Sequence, residues 1–470
     1  MSRYLSQQPA SAVPASTVSR QSSSGSSATR VSGPQGPGLR LRDRRLFLRA
    51  ALIAAAGSTC RNPLLAEDRP AKEATPVERL SIGIMGVNGR GGAIARGMLA
   101  TGQVDVAYVC DVDQRASHRA ATYVNEHQSA TTKTVSDFRR VLDDARVDAL
   151  ICAAPNHWHA PATILGCTAG KHVYVEKPCS QTPAEGEWAV AAARKHDRVV
   201  QMGSQRRSWP GIIKAIQKVH DGAIGDALYS RTWYNNRRGP IGIGKETPVP
   251  AWLDWRLWQG PAPSRPYKDN IVHYNWHWHW HWGNGELGNN GVHALDVARW
   301  GMQVDYPVRV TAGGGKHRHQ DDQQTPDTMM VTYDFAENKT ITWEGLSWSP
   351  LGPHDTSFGI SFHGTEGSIV VRGKGYTQFD MKNNVVESES AEGGDREHFI
   401  DFLDAIRSGR RPHADIEQAH KSTLLCHLGN IAYRTASVLQ TRESDGRPVN
   451  HDAAMQLWSR EYAKGWEPQV

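Results

Sequence analysis

Between Arg79 and Met202, short continuous apolar runs alternate with stretches whose apolar positions recur every three or four residues. Leu80–Met85, Asp105–Cys110, Val147–Ala154, His172–Val175 and Val199–Met202 read as strands buried on both faces. Ala93–Ala100, Gln114–Glu126, a segment capped by Ser136 or Asp137 and ending at Leu142, a segment from His159 to Gly170, and Pro183–His196 read as helices. This alternation predicts an open, mostly parallel sheet whose ligands lie beyond the C-terminal strand ends.

Past about Gly203 the period drops to two. Ala227–Tyr234, Arg309–Gly313, Thr328–Phe335, Thr340–Leu346, Gly359–His363 and Ser368–Val371 suit a half-solvated, largely antiparallel sheet. Turns are expected at Glu337-Asn338 and Thr365–Gly367, and helices at Glu397–Ser408, Ile416–Leu439 and Asp452–Tyr462. The fold class is therefore α/β twice over: a parallel-sheet domain at 79–202, then an α/β domain at 203–470 with a large, mainly antiparallel sheet.

The first strand runs into Gly86-Val87-Asn88-Gly89-Arg90-Gly91 and then a helix. Such a turn brings backbone N–H groups and a helix N-terminus against a pyrophosphate. Asn88 replaces the usual middle glycine, and asparagine tolerates a left-handed backbone. The second strand ends in Asp111, 25 residues past Gly86, where an acid can bind adenosine ribose hydroxyls. The alternative for Asp111 is a helix cap. Together these features predict a Rossmann-type dinucleotide site, with NAD favoured over NADP because Asp111 repels a 2′-phosphate. Arg115 nearby keeps NADP open.

The net charge of +6 is local: ten arginines and three acids fall within residues 1–70, so the remainder is close to neutral. Nothing there calls for nucleic acid or an anionic membrane, and no apolar run is long enough to span a bilayer. Residues 1–43 have the composition of a disordered leader. Asp43-Arg44-Arg45-Leu46-Phe47-Leu48-Arg49 and Ala50–Gly57 resemble a twin-arginine export signal within 44–66, so a periplasmic location is expected, with a cytoplasmic one as the alternative. Residues 67–78 then form a linker or arm. The six cysteines have no metal-type spacing, and those past the leader fall at strand or helix positions suited to apolar burial.

Five clusters carry candidate chemistry. Pro155-Asn156-His157-Trp158-His159 and Glu176-Lys177-Pro178 stand at strand ends, where Lys177 can hydrogen-bond a substrate hydroxyl. Gly288-Asn289-Asn290-Gly291-Val292-His293 opens a helix from Val292, with His293 a candidate general base. In His273–Trp282, an extended chain would put His277, His279 and His281 on one face and the tryptophans on the other. Carbohydrate contact through Trp276, His277 and Trp278 is the favoured reading, with zinc on the three histidines and plain packing as alternatives. Gln205 and Arg206, with Arg207, follow the last strand and are candidate substrate contacts.

The glycine turn, Cys110-Asp111-Val112-Asp113, Pro155–His159, Glu176-Lys177-Pro178 and Gly291-Val292-His293, in that order, resemble the glucose–fructose oxidoreductase / inositol dehydrogenase (Gfo/Idh/MocA) family from about Arg79 onward. The resemblance implies that Lys177 and His293 act on a sugar or polyol hydroxyl, that the Lys177–Pro178 bond is cis, and that the chain is a homodimer or homotetramer. It also implies cofactor contacts from Gly86, Asn88, Gly89, Arg90, Gly91, Asp111, Arg115, Pro155, His157, Glu176 and Lys177. Asn289 departs from the pattern by standing where the family has aspartate, and is assigned to positioning. The expected function is an NAD(H)-dependent sugar or polyol oxidoreductase that keeps its cofactor through the cycle. An NAD-dependent glycosidase without net redox change and a non-catalytic sugar-binding protein are the alternatives, and no metal is assigned.

Overall fold

The computed structural model describes residues 79–470 except Glu337. The leader, the twin-arginine segment and the arm lie outside the described residues, and one half of the expected Glu337-Asn338 turn does too. Among the described residues, no helix is long and apolar enough to cross a membrane.

The first part alternates strand and helix: β1 (Leu80–Met85), α1 (Arg90–Leu99), β2 (Val104–Cys110), α2 (Gln114–His127), β3 (Lys133–Val135), α3 (Arg139–Leu142), β4 (Ala149–Cys152), α4 (Asn156–Thr168), β5 (His172–Val175), α5 (Pro183–Lys195) and β6 (Val200–Met202). The six strands are parallel in the order β3-β2-β1-β4-β5-β6. The order reverses between β1 and β4, which opens a crevice above their C-terminal ends.

A helix not read from the pattern, α6 (Pro210–His220), leads to β7 (Ala227–Asn235), α7 (Trp255–Gln259) and α8 (Val292–Met302). The second sheet continues through β8 (Arg309–Gly315), β9 (Thr328–Asp334), β10 (Thr340–Leu346), β11 (Phe358–Gly364), β12 (Gly367–Arg372), β13 (Gly375–Asp380) and β14 (Val385–Glu389). The chain closes with α9 (Asp395–Ser408), α10 (Ile416–Thr435), β15 (Leu439–Gln440) and α11 (Asp452–Gln456). Nine strands run in the order β14-β13-β12-β11-β7-β10-β9-β8-β15. All pairs are antiparallel except β7 with β10.

The two parts are sewn together. Helix α9 returns to the parallel sheet, where Phe399, Phe402 and Leu403 join the β1–β2–α1 core. Helix α10 is buried along most of its length and packs on α5, α8 and β8. Such all-round burial explains its weak amphipathic pattern.

Three expectations need correction. The segment Ile416–Leu439 is not one helix, because Ala436 turns left-handed after Thr435 and Leu439 joins the sheet. The final helix ends at Gln456 rather than Tyr462. His273–Trp282 is not extended: Asn275–Trp278 forms a tight 3-10 turn, and the segment pairs with no strand of either sheet. Its rings go to different places. Trp276 and Trp282 join Leu253, Trp255, Trp258 and Tyr267 in a small core of their own, with Trp255 and Trp258 stacked at 4.6 Å.

Candidate functional site

A cleft of about 680 Å3 lies at the C-terminal ends of β1, β2, β4 and β5, and residues from the second domain close its other side. At one end the turn after β1 takes its left-handed positions at Gly86 and Gly89, with φ of 80° and 61°. Asn88 does not, so its tolerance for that conformation is unused. A Cβ on Gly91 would stand 1.7 Å from the Gly86 carbonyl oxygen, so only glycine lets α1 approach the turn this closely. Gly91 therefore shapes the cleft without lining it.

Asp111 lines the cleft at the end of β2. Its Oδ2 accepts from the Val87 and Asn88 N–H groups at 2.7 and 3.3 Å, and its Oδ1 from the Asp113 N–H at 2.9 Å. A carboxylate has about four acceptor directions, so one remains for a ribose hydroxyl. Burial raises its pKa, and these three donors pull it back. The helix cap of α2 is Asp113, which accepts from the Arg115 N–H at 2.9 Å. Arg115 is turned to that same carboxylate and lies 3.4 Å over the Trp252 ring. It does not line the cleft.

In the middle, Arg90 donates from Nε to Glu176 at 2.9 Å and forks onto Asp395 at the start of α9. Burial works against its charge, but the two carboxylates hold its pKa above the ordinary value. Pro155 and Glu176 also line the cleft. His157 does not: it is fully buried and bonds the Trp258 carbonyl at 2.9 Å. Burial, followed by the charge on Arg460, lowers its pKa. Its neighbours Asn156 and His159 line the cleft instead.

At the far end Lys177 follows β5, and its bond to Pro178 is cis. Its Nζ donates to both the backbone O and Oδ1 of Asn289, each at 2.8 Å. Burial lowers its pKa, while Glu176 and Glu286 act in the opposite sense. Asn289 sits in a π-helical turn, Leu287–Gly291, that precedes α8, so His293 is not in the first turn of an isolated helix. The π turn adds a residue to the ladder and is a common device for re-aiming side chains at sites.

His293 is half-buried and its Nδ1 has no hydrogen-bond partner. Burial first, then the charges of Lys177 and Arg206, push its pKa well down, which keeps the imidazole neutral. It stands near Lys177 electrostatically without being part of the cleft wall.

Of the aromatic stretch, His273, Tyr274, Trp276 and His277 line the cleft. Burial lowers the His277 pKa to about 3. Trp278 does not; the Arg238 guanidinium covers its ring at 4.9 Å. His281 bonds the Pro263 carbonyl at 2.7 Å, and no group of three or more metal-type side chains converges among the described residues.

Gln205 and Arg206 are not on the cleft wall either. Gln205 donates to Asp395 at 3.2 Å, and Arg206 lies between Trp209 and Phe358 at 4.7 and 4.1 Å. Burial lowers the Arg206 pKa to about 10. Arg207 is tied to Asp296 in a buried bidentate pair, Nε to Oδ2 at 2.8 Å and Nη2 to Oδ1 at 2.9 Å.

Sequence reasoning missed Tyr234, Asn236 and Arg238, which line the cleft at and just past the end of β7. Arg238 pairs with buried Glu286 at 2.6 Å. A polar run immediately after an apolar strand was the available signal, the same rule that picks out Lys177.

The fold and cleft define a dinucleotide-binding protein: the glycine turn, the strand-end acid and the tight approach of α1 fit the pyrophosphate and ribose of NAD. Residues 80–204 match the NAD-binding Rossmann fold of the Gfo/Idh/MocA oxidoreductase family, and residues 230–468 match its C-terminal alpha/beta domain. The chain belongs to that family.

Among curated relatives, a levoglucosan dehydrogenase of Pseudarthrobacter phenanthrenivorans is 26% identical over 263 residues, 50% of this chain and 58% of the relative. A glycosyl hydrolase family 109 protein of Saccharopolyspora erythraea is 32% identical over 162 residues, 33% of this chain and 35% of the relative. An inositol 2-dehydrogenase of Salmonella typhimurium is 29% identical over 151 residues, 32% and 44% of the two chains. The chain thus spans less than two thirds of the length of these relatives.

Solved structures share the fold as well. Levoglucosan dehydrogenase in complex with NADH and levoglucosan matches at TM-score 0.61 and 19% identity, over 77% of this chain and 99% of that one. An aldose-aldose oxidoreductase from Caulobacter crescentus matches at TM-score 0.60 and 20% identity, over 77% and 100%.

Proposed function

We propose that this protein is an NAD-dependent oxidoreductase acting on a hydroxyl or carbonyl of a sugar, polyol or sugar derivative. The observation that carries the reading is Lys177, held by two hydrogen bonds from one Nζ to Asn289 at the cleft end away from Asp111. Two of the ammonium's three donors are spent there, so one remains for a substrate oxygen. NAD, when bound, supplies the hydride acceptor.

Lys177 fixes the substrate oxygen and shares its proton, and the neutral His293, which stands behind the cleft wall near Lys177, is the base proposed to take that proton. Asn289 positions Lys177. Tyr234, Asn236, Trp276 and His277 give the same end the mixture of apolar faces and polar groups that sugars need. The test is NADH formation with a panel including levoglucosan and myo-inositol. Lys177→Ala should lose turnover with NAD affinity largely kept, and unchanged turnover would sink the role.

A redox-neutral glycosidase is the second reading. It is favoured by Asn289 in place of an acid and by the similarity to a glycosyl hydrolase family 109 protein. Release of chromophore from a nitrophenyl glycoside without net NADH separates it from the first.

The export reading of Arg44-Arg45 joins this proposal. A protein working where free NAD is scarce keeps its cofactor bound and returns the electrons within the cycle. Denaturing mass spectrometry of dialysed, exported protein should release one dinucleotide per chain. Complete dependence on added NAD, with free NADH accumulating, would overturn retention.

A further inference from the structure

A second cavity, of about 560 Å3, shares no lining residue with the cleft. Asn284 stands between the two. Its Oδ1 accepts from Asn156 of the cleft at 3.0 Å, and its Nδ2 donates to the Gln181 carbonyl at 2.9 Å. The cavity is formed by the start of α5, the loop around Trp280 and His281, the C-terminal part of α10, and residues 457–461.

Its chemistry is that of a ligand site. Trp280 is half-buried, and the Arg434 guanidinium lies 5.0 Å from its ring centroid. Arg434 and Arg265 are exposed members of the lining, and neither has a carboxylate partner among the described residues. Arg460, also on the lining, donates from Nε to buried Glu185 at 2.7 Å and from Nη2 to the His157 carbonyl at 2.8 Å, and leaves Nη1 unmatched. Gln181 and Thr182, 6% and 8% exposed, each carry a side-chain oxygen without a partner. An unmatched buried polar atom costs about 1–3 kcal/mol, and three of them sit on residues that line this hollow. Against the two unpaired arginines the lining offers one free acid, Glu461.

We infer that this cavity is a second binding site, for a sugar unit bearing a carboxylate. The indole and the Arg434 guanidinium stacked on it form one flat surface against which a pyranose can lie. The arginines match a carboxylate in the planar way that lysine cannot. Gln181 and Thr182 carry the amide and hydroxyl oxygens that are without a partner and would serve ring hydroxyls, while Asn284 and Asn430 brace the floor through their own hydrogen bonds. The inference uses none of the redox chemistry assigned to the cleft.

The test is calorimetric titration of glucuronate into the full-length protein saturated with NAD, and into Trp280→Ala and Arg434→Met. Saturable binding is expected in wild type, about tenfold or more weaker in each variant, with glucose also weaker than glucuronate. Unchanged NAD affinity in both variants certifies their fold and keeps this result separate from any failure at the cleft. Arg434 is exposed, so its variant carries the test alone if Trp280→Ala does not fold. No binding overturns the inference, as does glucuronate binding that both variants retain, which would belong to the cleft. Benzoate binding as tightly as glucuronate overturns the sugar assignment. A change of oligomeric state in Trp280→Ala without glucuronate binding would make the cavity a subunit seam and equally overturn it.

Discussion

Replacing Asn289 by aspartate puts a carboxylate where an amide oxygen now accepts from Lys177 Nζ at 2.8 Å. At that distance the attraction is about 6 kcal/mol at an effective dielectric near 20. Desolvating the new acid cancels several kcal/mol of it, because Asn289 is only 5% exposed. What remains raises the Lys177 pKa by about one to three units. The starting point is a lysine that burial already holds below 10.5. Asn289→Ala acts in the opposite direction, since it removes a bond to the charged form.

The limb of the pH–rate profile governed by Lys177 should therefore move up in Asn289→Asp and down in Asn289→Ala. This ordering holds whichever protonation state is active. Asn289→Ala should also lose about 10–150-fold in kcat, the equivalent of one hydrogen bond to a charged group. The assay is NADH formation across roughly pH 6 to 11 in all three proteins. Coincident limbs would refute the coupling of Lys177 to Asn289.

Asp111→Ser removes the acceptor for the Val87 and Asn88 N–H groups, so NAD should bind about tenfold or more weakly while NADP gains relative to it. A wild type that already prefers NADP would contradict the assignment. Gly91→Ala forces a Cβ to 1.7 Å from the Gly86 oxygen; it should cost about 1–3 kcal/mol or more and abolish NAD binding, read by thermal shift with and without NAD. His398 is fully buried, and burial lowers its pKa to about 4. The unfolded chain therefore takes up a proton below about pH 6.5 that the folded chain refuses. His398 alone should contribute a loss of about 3 kcal/mol as pH drops from 6.5 to 4, on top of the losses from the other buried histidines. His398→Asn should flatten that decline in urea midpoints, and an equally steep decline in the variant would count against it.

The strands and helices of the parallel sheet were legible because their apolar runs are short and bounded, and the glycine turn fixes where a ligand must lie. Lys177 and Asn289 were legible as separate motifs 112 residues apart, but their hydrogen bonds depend on tertiary docking that no spacing encodes. His157 misled because a polar residue at a strand end normally faces the crevice; here the Trp258 carbonyl takes it into the core. Trp278, Arg206 and Gln205 misled similarly, each spending its polar or aromatic face on a neighbour inside the protein. The stretch His273–Trp282 defeated a period-two reading because ring packing, rather than strand pairing, decides its course.

Helix α9 has a consequence for how the protein comes into being. Phe399 and Phe402 meet Tyr174 edge-on at 5.8 Å, and a Cβ on Gly97 would stand 2.5 Å from the Phe399 ring. The nucleotide-binding half is thus finished by residues translated roughly 200 positions after β6. While the ribosome is still making the second sheet, the nascent first half carries an uncovered greasy face. That face is covered only once α9 has emerged. A fragment stopping at Met202 should behave as a sticky, protease-sensitive intermediate, and maturation of the two halves becomes a single all-or-none event.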